Sequence, residues 1–60
     1  MVTYKIVEGA VTDVAYMVNT LLKNGWKLQG PLVVVSSGQG GVKPTIVAQA
    51  MILEEEDPIP

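Results

Sequence analysis

Sixty residues with four lysines, no arginine, six carboxylates, no histidine and no cysteine leave few chemical options. Without cysteine there is no disulfide or thiolate chemistry, and without histidine the commonest metal ligand and general base is gone. A chain this short buries only about 60% of its unfolded surface, whereas 48% of its residues are apolar, so it carries more apolar surface than one small core can hide.

Residues 2–7, Val-Thr-Tyr-Lys-Ile-Val, alternate Val2, Tyr4 and Ile6 with Thr3, Lys5 and Val7, the period of a half-buried strand that Glu8-Gly9 should end. From Val11 the apolar positions Val11, Val14, Val18, Leu21 and Leu22 follow a helical period and predict one helix of about three to four turns. Asp13 suits its positive end and Lys23 its negative end, and either Thr12 or the backbone at Ala10 must cap its start. Asn24-Gly25 predicts the stop, because glycine tolerates the left-handed conformation just past a last turn, and Trp26 can then fold back over Leu21 and Leu22.

Trp26 to about Ser36 predicts a second extended segment, bent at Gly30-Pro31 because proline cannot donate a ladder hydrogen bond. Ser36-Ser37-Gly38-Gln39-Gly40-Gly41 forms a glycine-rich connection closed by Lys43-Pro44. Thr45–Leu53 is the third strand, and Glu54–Pro60 is an acidic, proline-containing tail after a single domain over residues 1–53. The predicted fold is α+β: a β-α-β-β unit whose three-stranded sheet has the order 1-3-2, the last strand antiparallel to both neighbours, with one helix on one face.

Such a sheet has no cover on its second face within this chain. With Ile6, Trp26, Leu28, Ile46, Ala48, Ala50 and Ile52 toward the helix, the open face would present Val7, Val33 or Val35, Val47, Met51 and Leu53. Burying a few hundred Å² of that surface is worth several kcal/mol at about 25 cal/mol per Å², comparable with the whole stability of so small a domain. A homo-oligomer, dimer or higher, is therefore expected, with Val33, Val35, Met51 and Leu53 among its interface residues. On the helix, Tyr16 and Met17 fall on the side away from the sheet, where a solvated face would carry Glu and Lys. They are either lone exposed residues or contacts for a partner, since Tyr and Met are typical of interfaces.

Tyr4-Lys5-Ile6-Val7-Glu8-Gly9, then Val18-Asn19-Thr20-Leu21-Leu22-Lys23-Asn24-Gly25-Trp26-Lys27-Leu28-Gln29-Gly30, and finally Gln49-Ala50-Met51 resemble the short prokaryotic and phage proteins grouped as domain-of-unknown-function family 1737. The resemblance spans roughly residues 3 to 53, anchored on Leu-Leu-x-x-Gly-Trp-x-Leu-x-Gly ahead of a Gln-Ala-Met strand. It implies a β-α-β-β unit and no established activity or catalytic residues. Ala10 stands where such proteins usually carry a serine cap, and Ala15, Tyr16 and Met17 replace a charged helix exterior.

Catalytic groups are not expected. Glu8 and Asp13 flank the helix start and serve the turn and the helix dipole. Ser36 and Ser37 have no histidine partner, and pairing with Lys43 would need burial that a glycine loop cannot enforce. Consecutive acids at 54–57 lack the alternating ligand geometry of a calcium cage, so no metal or cofactor is expected. The glycine loop can aim backbone N–H groups at an anion with Lys43 beside it, though it matches neither a phosphate loop nor a dinucleotide fingerprint.

The leading expectation is a non-catalytic oligomeric binding protein that sequesters a phosphate-bearing small molecule, such as a signalling nucleotide, where subunits meet. Lys27 and Lys43 would meet phosphate, Ser36, Ser37 and Gln39 would donate hydrogen bonds, and Gly40 and Gly41 would let the backbone approach. The alternatives are a protein-interaction module or phage-type inhibitor of a host protein acting through Tyr16 and Met17, and a structural oligomer without ligand. Residues 1–53 carry four lysines against Glu8 and Asp13, too weakly basic for a general nucleic-acid binder. With no targeting pattern at the N-terminus and no run of about 18 apolar residues, the expected location is the cytoplasm of the producing or infected cell.

Overall fold

The computed structural model describes residues 1–38 and 43–55. Its elements are β1 (Val2–Ala10), α1 (Val11–Lys23), β2 (Lys27–Leu28), β3 (Val33–Ser36) and β4 (Ile46–Glu54). The architecture is α+β, one helix on an antiparallel sheet. The sheet differs from the expectation in strand count and order. Four strands form in place of three, arranged β1-β4-β2 with β3 also paired to β4. The cause is Gly30, whose φ of +77° turns the chain ahead of Pro31 and divides the expected second strand in two.

Strand β1 pairs with β4 over its whole length, from Val2 opposite Glu54 to Ala10 opposite Ile46. It does not stop at Glu8-Gly9 but runs directly into α1 at Val11. Ala10 is the helix N-cap, with an extended backbone and no side-chain hydrogen bond to the first turn. At the other end the Gly25 N–H donates to the Leu22 carbonyl and the Trp26 N–H to the Leu21 carbonyl, at 3.3 and 3.0 Å. With Gly25 at φ +89°, this is the paired closure that ends a helix through a left-handed glycine. Trp26 folds back against the core beside Val18 and Leu21, as the Asn-Gly-Trp sequence predicts.

The helix covers the face opposite to the one expected. Val7, Val14, Val47 and Met51 are the buried apolar side chains among the described residues, with Gln49 buried beside them. Cross-strand register places Lys5 with Met51, Val7 with Gln49 and Gly9 with Val47 on this side. Met51 is 0% exposed and forms the centre of the core, and Leu53 is half-buried on the same side, so neither belongs to an open sheet face. The physical reason is size. Met51 and Val47 fill the space under the helix, which Ala48 and Ala50 are too small to do. The first turn of α1 comes down on this face beside Gly9, where a Cβ would meet Val14 Cγ2 at 3.8 Å, an ordinary contact, so the approach does not depend on glycine.

Two polar residues are accommodated on the helix side. Gln49 Nε2 donates to the carbonyls of Gly30, at 3.1 Å, and Ala50, at 2.9 Å. The Lys5 ammonium sits 5.9 Å from the centroid of the Trp26 ring, within the range of a cation–π contact. No buried side-chain nitrogen or oxygen among the described residues lacks a hydrogen-bond partner.

The exposed face of the sheet carries Val2, Tyr4, Ile6 and Glu8 from β1, Ile46, Ala48, Ala50 and Ile52 from β4, and Val33 opposite Ala48. α1 packs on β1, β4 and β2 and does not reach β3, so Val34, on the helix side opposite Val47, is also exposed. Among the described residues no helix is long and apolar enough to cross a membrane.

Candidate functional site

The connection between β3 and β4 is held at its neck by the residues that flank it. The Gly38 N–H donates to Thr45 Oγ1 at 3.2 Å, and a Cβ at Gly38 would overlap the Lys43 carbonyl. Only glycine fits this approach. The same hydrogen bond occupies the Gly38 N–H, which is therefore not one of the donors free to meet an anion. Ser36, Ser37 and Lys43 are exposed around this neck. Gln39, Gly40 and Gly41, the remaining loop residues expected to bind, lie outside the described residues.

Lys27 is not part of this cluster within one chain. It pairs with Ile52, whereas Ser36 pairs with Ile46. Six residues of strand separate the two positions, roughly 20 Å at about 3.3 Å per residue. Lys27 instead lines a shallow depression of about 390 Å³ with Met1, Val2, Glu54 and Glu55. There the two chain ends meet: the Met1 amino group donates to the Glu55 carbonyl and the Glu55 N–H to the Met1 carbonyl, both at 2.8 Å.

Ser36 shares the open face with Ile46, so the neck of the loop emerges at the rim of the apolar surface. Along β3, Val33 is 55% exposed on that face, and Val35 is 53% exposed where the register shifts between Val34 and Ser36. Val33 and Val35 are thus exposed, in contrast to Met51 and Leu53. Ile6, expected on the helix side, lies instead on the open face, beside Val2 and Tyr4.

Tyr16 is 75% exposed, and with Met17 and Thr20 it lines a groove of about 220 Å³ between α1 and β1, floored by Lys5, Val7 and Leu21. A second groove of about 270 Å³ runs on the other flank of the helix, lined by Val14, Val18, Leu28, Leu32, Val47 and Gln49 among others. Helix α1 is therefore a ridge between two apolar clefts, and its exterior is not an ordinary charged face.

No group of three or more His, Cys, Asp or Glu side chains placed to hold a metal ion occurs among the described residues. Comparison of the chain with family models, curated proteins and solved structures found no significant match.

Proposed function

We propose that this protein is a non-catalytic binding protein that works as a homo-oligomer, and that it takes a phosphate-bearing small molecule, such as a nucleotide, at the Ser36–Thr45 connection where subunits meet. The observation that carries the reading is the position of Ser36 beside Ile46, which puts the loop neck at the edge of an apolar sheet face that one chain leaves uncovered. Hydroxyls of Ser36 and Ser37 and the ammonium of Lys43 are exposed there, a donor set suited to phosphate oxygens. Lys27, near the far end of the sheet, joins such a site only if another subunit supplies it. Resemblance to the domain-of-unknown-function family 1737 belongs to the same proposal and rests on the residues quoted above.

Thermal-shift measurements with a panel of nucleotides and inorganic phosphate test the reading. A true ligand raises the melting temperature by mass action on the folded state, and Lys43→Ala removes the shift. If no nucleotide or phosphate stabilises the chain at millimolar concentration, the ligand reading fails.

A second reading has its own observation: Tyr16 and Met17 border the groove above Lys5 and Val7, as anchors for a protein partner would. Loss of a defined partner's binding on Tyr16→Ala, with melting temperature unchanged, would favour it.

A further inference from the structure

The open sheet face has a relief of its own. On β1 the side chains of Val2, Tyr4 and Ile6 stand up as a ridge, each about 60% exposed. Beside them on β4, Ala50 lies opposite Ile6 and Ala48 opposite Glu8, a shallow trough closed at its ends by Ile46 and Ile52. Val33, opposite Ala48, forms part of the far wall. A ridge two or three side chains long beside a trough of two alanines is a surface that fits a copy of itself.

We infer that this face is covered by a second copy of the chain, with Tyr4 and Ile6 of each protomer seated on Ile52 and Ala50 of the other. The inference rests on the oligomeric reading above and specifies its geometry. A two-fold axis running along the strands between β1 and β4 exchanges the two columns, so that Ile6 meets the partner's Ala50 and the partner's Ile6 meets Ala50 in return. Such reciprocity is what a closed two-fold interface requires. Two sheets packed in this way stand about 10 Å apart with their inner side chains interdigitating. At the Ile6–Ala50 contact the large residue then fills the gap left by the small one, as dense packing demands. The same axis sets Glu8 beside the partner's Ala48, one cross-strand pair in from Ile46 and the end of the face where Ser36 emerges.

The area is consistent with this occupant. With Val2, Tyr4, Ile6 and Val33 each 55–60% exposed, the open face amounts to a patch on the order of 600 Å² per chain, at the upper limit of the apolar patches that ordinary monomers leave exposed. Doubled, this is about 1,200 Å², the lower bound of specific stable interfaces. The face carries Glu8 near one end and Lys27 near the other, with an uncharged centre between them. An uncharged centre within a polar rim is the composition of an interface between proteins.

A charge-swap experiment tests the contact. Ile6→Lys alone should place an unpaired ammonium over the partner's Ala50, and Ala50→Glu alone an unpaired carboxylate under the partner's Ile6. Each should weaken self-association at least about tenfold in sedimentation velocity. Mixing the two variants should restore a dimer, because a heterodimer pairs the introduced ammonium with the introduced carboxylate at one contact and leaves the other contact unaltered. A size swap makes the same test without charge: Ala50→Leu should weaken the dimer, and the double variant Ile6→Ala with Ala50→Leu should recover most of it. Variants that dimerise as well as the parent, or a mixture and a double variant that both stay monomeric while the parent dimerises, would overturn this arrangement and leave the oligomeric reading standing. A parent chain that is itself monomeric would remove both.

Discussion

Gln49 Nε2 donates a 3.1 Å hydrogen bond to the carbonyl of Gly30, joining the middle of β4 to the bend that divides β2 from β3. The same nitrogen also donates to the Ala50 carbonyl, which in turn accepts from the Gln29 N–H at 2.9 Å. A buried amide thus holds the one place where the sheet's second edge is interrupted. Gln49→Leu keeps the approximate volume and removes these bonds, so it should cost about 1–2 kcal/mol. Urea unfolding followed by circular dichroism measures the loss. An unchanged midpoint would show that the bend holds without the amide.

Met51 and Leu28 lie opposite each other on the helix side, yet one is fully buried and the other 54% exposed. Met51→Ala should therefore destabilise by about 2–5 kcal/mol, whereas Leu28→Ala should cost about 1 kcal/mol or less. The larger figure is a substantial part of a total that is only about 5–15 kcal/mol for ordinary domains. Loss of a cooperative thermal transition in Met51→Ala, but not in Leu28→Ala, is the expected result.

Gly25 closes the helix at φ +89°, a conformation that an L side chain adopts only under strain. A Cβ at this position would meet Leu53 Cδ1 at 3.7 Å, an ordinary contact, so the cost of Gly25→Ala is one of backbone and not of crowding. It should be about 1–2 kcal/mol. For a domain of this size each kcal/mol lowers the melting temperature by about 4–8 °C, which differential scanning fluorimetry resolves.

Ala10 has the extended backbone of a helix N-cap, φ −63° and ψ 152°, but no side-chain oxygen to receive the N–H groups of the first turn. Ala10→Ser and Ala10→Asp should each stabilise the chain by about 0.5–2 kcal/mol, the carboxylate gaining further from the helix dipole. Thermal melts of the two variants against the parent check this. A lowered melting temperature in both would contradict the capping geometry.

Local chemistry made much of the fold readable. The Asn24-Gly25-Trp26 stop, the helical period from Val11 and the Gly30-Pro31 break each act through a few neighbouring residues, and each lies where the sequence places it. Division of the second extended segment into β2 and β3 was less accessible, because it depends on the φ of Gly30 and on the Gln49 side chain reaching across from β4. The facing of the sheet was misleading for a definite reason. Lys5 and Gln49 fall on the covered side, where polar residues ordinarily argue for solvent; Lys5 lies beside the Trp26 ring, and Gln49 is satisfied by the Gly30 and Ala50 carbonyls. The small volumes of Ala48 and Ala50 carried the opposite and correct message. Of the expected binding residues, Ser36, Ser37 and Lys43 sit around one neck, and the separation of Lys27 from them follows from register along β4, which is a long-range property.

One copy of this chain leaves an apolar sheet face exposed, with Val2, Tyr4, Ile6 and Val33 each more than half accessible. Sedimentation equilibrium of the parent protein at micromolar concentration tests the oligomeric reading most directly. The expected result is a folded species whose mass is a multiple of 6.4 kDa and which dissociates on dilution. A well-folded particle of 6.4 kDa that stays monomeric across that range would contradict it.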